Sequence, residues 1–137
     1  MKKIVVIDGQ GGKIGSLLIE QLKAKTTDCE IYAIGTNSIA TSTMLKAGAD
    51  FGATGENPVI ANCRNADIIV GPVGIVIADS LVGEVTPLMA ASIGQSPAQK
   101  ILLPINRCKN HIVGVRDLPI PDLITETIEK ILSINKR

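Results

Sequence analysis

Aromatic side chains are nearly absent from this chain of 137 residues, which has no Trp, one Tyr (Tyr32) and one Phe (Phe51). Grips on single-stranded nucleic acid stack successive bases on aromatic platforms, so that class is set aside. A dominant charge is missing too: 14 Lys and Arg face 13 Asp and Glu, for a net charge of +1. No broad field then gathers nucleic acid or an anionic membrane, and any anion must be held locally. The single histidine, His111, has no second histidine or carboxylate cluster at ligand spacing, so no metal site is expected. Cys29, Cys63 and Cys108 are odd in number and widely spaced, with no C-x-x-C pair, which argues for free thiols in a reducing cytoplasm. The longest apolar stretch, Ile68 to Ala78, is broken by Gly71, Pro72 and Gly74 and reaches about half a membrane span. Only four apolar residues stand between Lys3 and Asp8, too few for the core of a signal peptide. The expectation is a soluble cytoplasmic protein with neither nucleic-acid nor membrane partners.

What is present is an alternation of strand and helix signals from end to end, without linker, repeat or low-complexity tract, which predicts one domain over residues 1–137. Strands are expected at 3–8, 29–35, near 50–53, 67–71 and 100–105. Ile14, Leu17, Leu18, Gln21 and Leu22 fall on one helical stripe. Cap chemistry marks further helix starts: Asn57-Pro58 and Thr86-Pro87 each pair a side-chain acceptor with a proline at the first helical position, and Pro121 opens the last helix. Gly48 should stop a helix begun near Ser38. Residues 100–115 read as two strand-like runs joined by too few residues for a parallel crossover, so a sixth, antiparallel edge strand is expected. With right-handed crossovers the result is an α/β, three-layer, Rossmann-like sheet of order 3-2-1-4-5 plus that edge strand.

The segment IVVIDGQGGKIG, Ile4 to Gly15, sets a buried-strand run before four glycines, Gly9, Gly11, Gly12 and Gly15, and then the first helix. Backbone N–H groups at such a helix start, with roughly half a positive charge from the aligned peptides, form an anion cradle to which Lys13 adds a full charge. The candidate binding residues are Asp8, Gly9, Gln10, Gly11, Gly12, Lys13, Ile14 and Gly15, joined at the carboxyl edge by Thr36, Asn37, Gly71, Pro72 and Gly74. The competing reading is a tight turn that lets the first helix pack close to the sheet. G-x-G-x-x-G fails at Ile14, and the short-chain dehydrogenase pattern G-x-x-x-G-x-G fails at Lys13; a Walker A loop would need Ser or Thr where Ile14 stands. The second strand ends in Gly35-Thr36-Asn37-Ser38 without the carboxylate that usually reads a ribose diol, which leans toward a 2′-phosphate or another anion there, unless Asn37 or Ser38 simply caps a helix.

Acid–base candidates are Asp8, Glu56, Asp79, Glu84 and His111. Arg107, Lys109 and His111 could meet an anion and activate Cys108, or form no more than a solvated hairpin turn. The greasy run from Val73 to Gly83 must be covered, by its own sheet or, as favoured here, by the second copy of a homodimer.

The segments DGQGGKIG, AIGTNSIATSTMLKAGADFGATGENP, GPVGIVIADSLVGEVTP and LPINRC resemble a family of short bacterial Rossmann-like proteins of uncharacterised function, a domain of unknown function. The resemblance covers nearly the whole chain and implies the fold and a nucleotide site, with no catalytic residue. A glycine is usual in that family where Lys13 stands, and the phosphate loop is similar to that of short-chain dehydrogenases. Their Tyr-x-x-x-Lys has no counterpart, since Tyr32 is followed four residues on by Thr36. The function expected is therefore binding of a nucleotide, dinucleotide such as NAD(P), or phosphorylated metabolite, by a sensor or accessory module without chemistry of its own. The alternatives are a small enzyme using Asp79, Glu84 or His111 on a phosphorylated or carboxylated substrate, and an interaction protein whose glycine loop is vestigial.

Overall fold

A computed structural model describes residues 1–105 and 109–135. Five strands, β1 (Lys2–Asp8), β2 (Cys29–Gly35), β3 (Phe51–Thr54), β4 (Ile68–Pro72) and β5 (Gln99–Leu103), form one sheet in the order β3-β2-β1-β4-β5. Every pairing is parallel. Strands buried on both faces need apolar residues in both alternations, and Ile4, Val5, Val6 and Ile7 of β1 are all buried.

Helices α1 (Lys13–Lys25), α2 (Ser38–Lys46) and α5 (Ile120–Asn135) cover one face; α3 (Glu56–Cys63) and α4 (Pro87–Gln95) cover the other. On the first face Ile14, Leu18 and Leu22 of α1 and Ile124, Ile128 and Ile131 of α5 pack on Ile4, Val6 and Ile68. On the second, Val59 and Ile93 pack on Val5, Ile7 and Ile69. The result is a three-layer, Rossmann-like α/β sandwich. At the far sheet edge, Tyr32 and Phe51 stack with ring centroids 4.7 Å apart, and the Lys3 ammonium lies 4.3 Å from the Tyr32 ring centre.

The expected caps hold at Thr86, whose side chain accepts the Met89 N–H, and at Gly48, whose φ of 118° follows the end of α2. Asn57 is a correction. Helix α3 starts earlier, at Glu56, because Gly55 takes a φ of 101° and donates its N–H to Gly35 O at 2.9 Å, turning the chain off the end of β3 before Asn57 is reached. Pro58 then sits in the first turn, where its missing N–H costs no helical bond.

The sixth, antiparallel strand is a second correction. Among the described residues, 109–119 form no strand, and α5 follows directly. Glycine at 114 (φ 85°) breaks the run, and Val113 is fully exposed instead of facing a sheet. The homodimer argument from Val73 to Gly83 also loses most of its footing: Gly74, Ile75, Ser80 and Leu81 are buried within the single chain, and Ile75 and Leu81 belong to the core over α4. Of the large apolar side chains there, Val82 alone lies open, 94% exposed.

Candidate functional site

The glycine loop runs off β1 at the carboxyl edge of the sheet, and its shape is fixed by Asp8. This carboxylate is 3% exposed; Oδ1 accepts the Gly9 N–H and Oδ2 the Gly15 N–H, each at 2.8 Å. One side chain thus ties the end of β1 to the first turn of α1. Burial pushes the Asp8 carboxyl above its usual range, with the Glu84 charge adding to the rise and the N–H donors from Gly15, Gly9 and Ile14 opposing it.

Between those two anchors, Gly12 donates its N–H to Gly9 O at 2.9 Å and adopts a φ of 76°. A Cβ on Gly12 would also lie 2.7 Å from the carbonyl oxygen of Ala40, so glycine is required there twice over. Gly15 is required by packing, since a Cβ would press into the Met44 side chain. These two glycines therefore follow the tight-turn reading. Gly11 does not: a Cβ there would meet nothing within 4 Å, so its bareness serves no contact inside the chain.

Gly9, Gln10, Gly11, Gly12, Lys13 and Ile14, together with Asp8, Ile105 and Ile120, line a cavity of about 220 Å³. The N-cap residue Gly12 makes no side-chain hydrogen bond and no acidic residue lies in the first turn of α1, so Asp8 caps this end from outside the helix through the Gly15 N–H. Among the described residues, the N–H groups of Gly11 and Lys13 meet no acceptor. Ile105 and Ile120 were not legible as site residues, because the chain return that brings β5 and α5 against the loop is set by tertiary packing.

The opposite flank of the loop is closed by a carboxylate from far along the chain. Glu84 Oε1 accepts the Gln10 N–H at 2.9 Å, the Thr36 hydroxyl at 2.6 Å and the Asn37 side-chain amide at 2.9 Å. Burial alone would raise its pKa, but the hydrogen bonds from Thr36, Gln10 and Asn37 outweigh it and hold the carboxyl below its usual value. Asn37 serves two ends at once, capping α2 through the Ala40 N–H and donating to both Gln10 O and Glu84. The sequence shows no carboxylate at the end of β2; the fold supplies one. Glu84 is held there by a turn in which Asp79, Leu81 and Val82 take positive φ (64°, 56° and 57°), and Gly83 follows at 84°. Three non-glycine residues in that region leave no sequence signature.

The third predicted segment does not join the cavity. Gly71 and Pro72 are buried in β4, where a Cβ on Gly71 would run into the Ile7 carbonyl, and Gly74 O accepts the Ser80 hydroxyl beneath the 79–85 turn. Asp79 is exposed, with its N–H given to Val85 O at 2.7 Å, and Glu56 accepts from Thr86 at 2.6 Å. Lys109 and His111 are exposed and head no strand. Arg107 and Cys108 lie outside the described residues, so the activated-thiol reading has no geometry. No group of three or more His, Cys, Asp or Glu placed to hold a metal occurs among the described residues, and no helix there is long and apolar enough to cross a membrane.

The family model for a domain of unknown function, DUF3842, matches residues 3–136. The chain belongs to that family. A comparison with curated proteins finds no match. Among solved structures, it is similar to a dodecameric FMN-dependent UbiX-like decarboxylase from Escherichia coli O157:H7, at 15% identity and a TM-score of 0.47, over 97% of this chain and 93% of that one. The similarity to short-chain dehydrogenases is not borne out by any of these comparisons.

Proposed function

We propose that the chain is a binding module for a small phosphorylated ligand, with a nucleotide as the class that fits, held at the start of α1 without chemistry of its own. The observation that carries this reading is the cavity over Gly9 to Ile14, lined by the bare Gly11 and by Lys13, whose N–H groups meet no acceptor among the described residues. A volume of about 220 Å³ lies below the usual 300–1,000 Å³ of a drug-sized site, so it suits a phosphate with its adjoining atoms, the rest of the ligand running along the sheet edge.

Binding is favoured over catalysis by the state of the carboxylates. A general acid or base works best with a pKa near the working pH, and Glu84 is displaced away from it. Asp8 is displaced toward it, but both its oxygens are engaged by N–H groups of its own loop.

Thermal unfolding with inorganic phosphate, AMP, ATP, NAD, NADP, FMN and a CoA ester tests the proposal. A ligand at a hundred times its Kd adds about 2.7 kcal/mol of stability. At least one phosphate compound should raise the melting temperature, and the Gly11→Glu variant, whose Cβ meets nothing within 4 Å, should fold normally and lose the effect. No shift with any of them rejects the reading.

A further inference from the structure

Glu84 brings a carboxylate to the end of β2, where Thr36 and Asn37 hold it by hydrogen bonds. Gln10 joins the two places: it lines the phosphate cavity, its N–H reaches Glu84, and its carbonyl oxygen accepts from Asn37. Thr36 and Asn37, whose hydroxyl and amide could otherwise grip a second anion, both give their hydrogens to Glu84 Oε1. Among the described residues, Oε2 of the same carboxylate takes part in no hydrogen bond. The arrangement has spent its donors and kept an acceptor.

We propose that Glu84 sets the ligand class at this site: its free oxygen accepts a sugar hydroxyl beside β2, and its charge turns away a second phosphate there. This rests on the phosphate-site reading given above and reverses the lean toward a 2′-phosphate that the bare sequence of β2 suggests. A carboxylate accepts from a vicinal diol and repels an anion set beside it. The hydrogen bonds to Oε1 keep the group ionised and oriented before any ligand arrives, so no side chain must be reordered on binding.

The probes are NAD and NADP, which differ by one 2′-phosphate, with inorganic phosphate as the reference, titrated calorimetrically into the full chain and into Glu84→Gln. The glutamine keeps an oxygen for Gln10, Thr36 and Asn37, and replaces the free, charged oxygen with an uncharged N–H donor. Wild type should bind NAD about tenfold or more tighter than NADP, and Glu84→Gln should bring the two close together. A residue that merely held the turn in place would alter both dinucleotides alike. Equal or tighter binding of NADP to wild type overturns the inference, as does a preference that survives Glu84→Gln. Phosphate binding that is lost in Gly11→Glu, with no gain from either dinucleotide, overturns the inference and leaves the phosphate site standing. No binding of any of the three overturns both.

Discussion

Asp8 Oδ2 accepts the N–H of Gly15 at 2.8 Å, so the residue that ends β1 also caps the first turn of α1. A carboxylate in that place does what an N-cap side chain does, from outside the helix, while Glu84 and Asn37 hold the intervening loop at Gln10. The loop is therefore rigid at both ends, and substitutions within it should separate sharply by position.

Gly12→Ala should destabilise the fold by about 2 kcal/mol or more, because the alanine meets both an unfavourable positive φ and the Ala40 backbone. Gly11→Ala should stay within about 0.5 kcal/mol of wild type, since its Cβ enters open space. Urea unfolding of the two variants side by side checks the contrast, and equal losses would mean the loop has another shape.

The pH dependence of stability should carry two opposite contributions. Asp8 binds its proton more tightly in the folded chain, so its contribution falls as pH rises from 3.8 through its raised folded value and is level above that. Glu84 is the reverse: its contribution is present above 4.5 and is lost as pH falls through its lowered folded value. Urea midpoints measured from about pH 3 to about pH 7 for wild type, Asp8→Asn and Glu84→Gln should show each variant erasing its own trend.

Lys13→Gln should weaken phosphate binding and make the remainder less sensitive to salt, because it removes the one positively charged side chain that lines the cavity among the described residues, and that side chain is exposed. Its unfolding midpoint should match wild type. Unchanged affinity with unchanged salt dependence would place the anion elsewhere.

Burial raises the thiols of Cys29 and Cys63, the latter to about 11. At pH 8 the folded chain then holds Cys63 as thiolate in about one molecule in a thousand. In a Cys108→Ser background, iodoacetamide should leave the native chain almost unlabelled and label both remaining cysteines in urea.

Thr86→Ala should cost about 1 kcal/mol, through loss of the cap on the Met89 N–H at the start of α4. The loss should appear in the unfolding midpoint with no change in phosphate binding, since α4 lines no part of the cavity.

The strands, their order and the helix over β1 were legible because both-face burial and a 3.6-residue stripe write themselves into composition, as Ile4 to Ile7 and Ile14 to Leu22 do. Helix α3 starts ahead of the Asn57-Pro58 cap signal because the positive φ of Gly55 ends the strand sooner. The candidate site was readable only along its local stretch, Asp8 to Gly15. The carboxylate beside Thr36 comes from a residue 48 positions on, carried by a turn whose Asp79, Leu81 and Val82 look like ordinary loop residues. Local chemistry cannot announce such a partner, and the same holds for Ile105 and Ile120, which reach the loop only once β5 and α5 have packed.

The stacked pair of Tyr32 and Phe51 has a practical bearing. With no tryptophan in the chain, Tyr32 is the sole strong ultraviolet chromophore and emitter, and it reports from the β2–β3 margin of the sheet under the Lys3 ammonium. Its fluorescence is a single-position gauge of whether that margin has come apart. Compared with far-ultraviolet circular dichroism, which averages over every helix and strand, it distinguishes peeling of one edge from collapse of the whole.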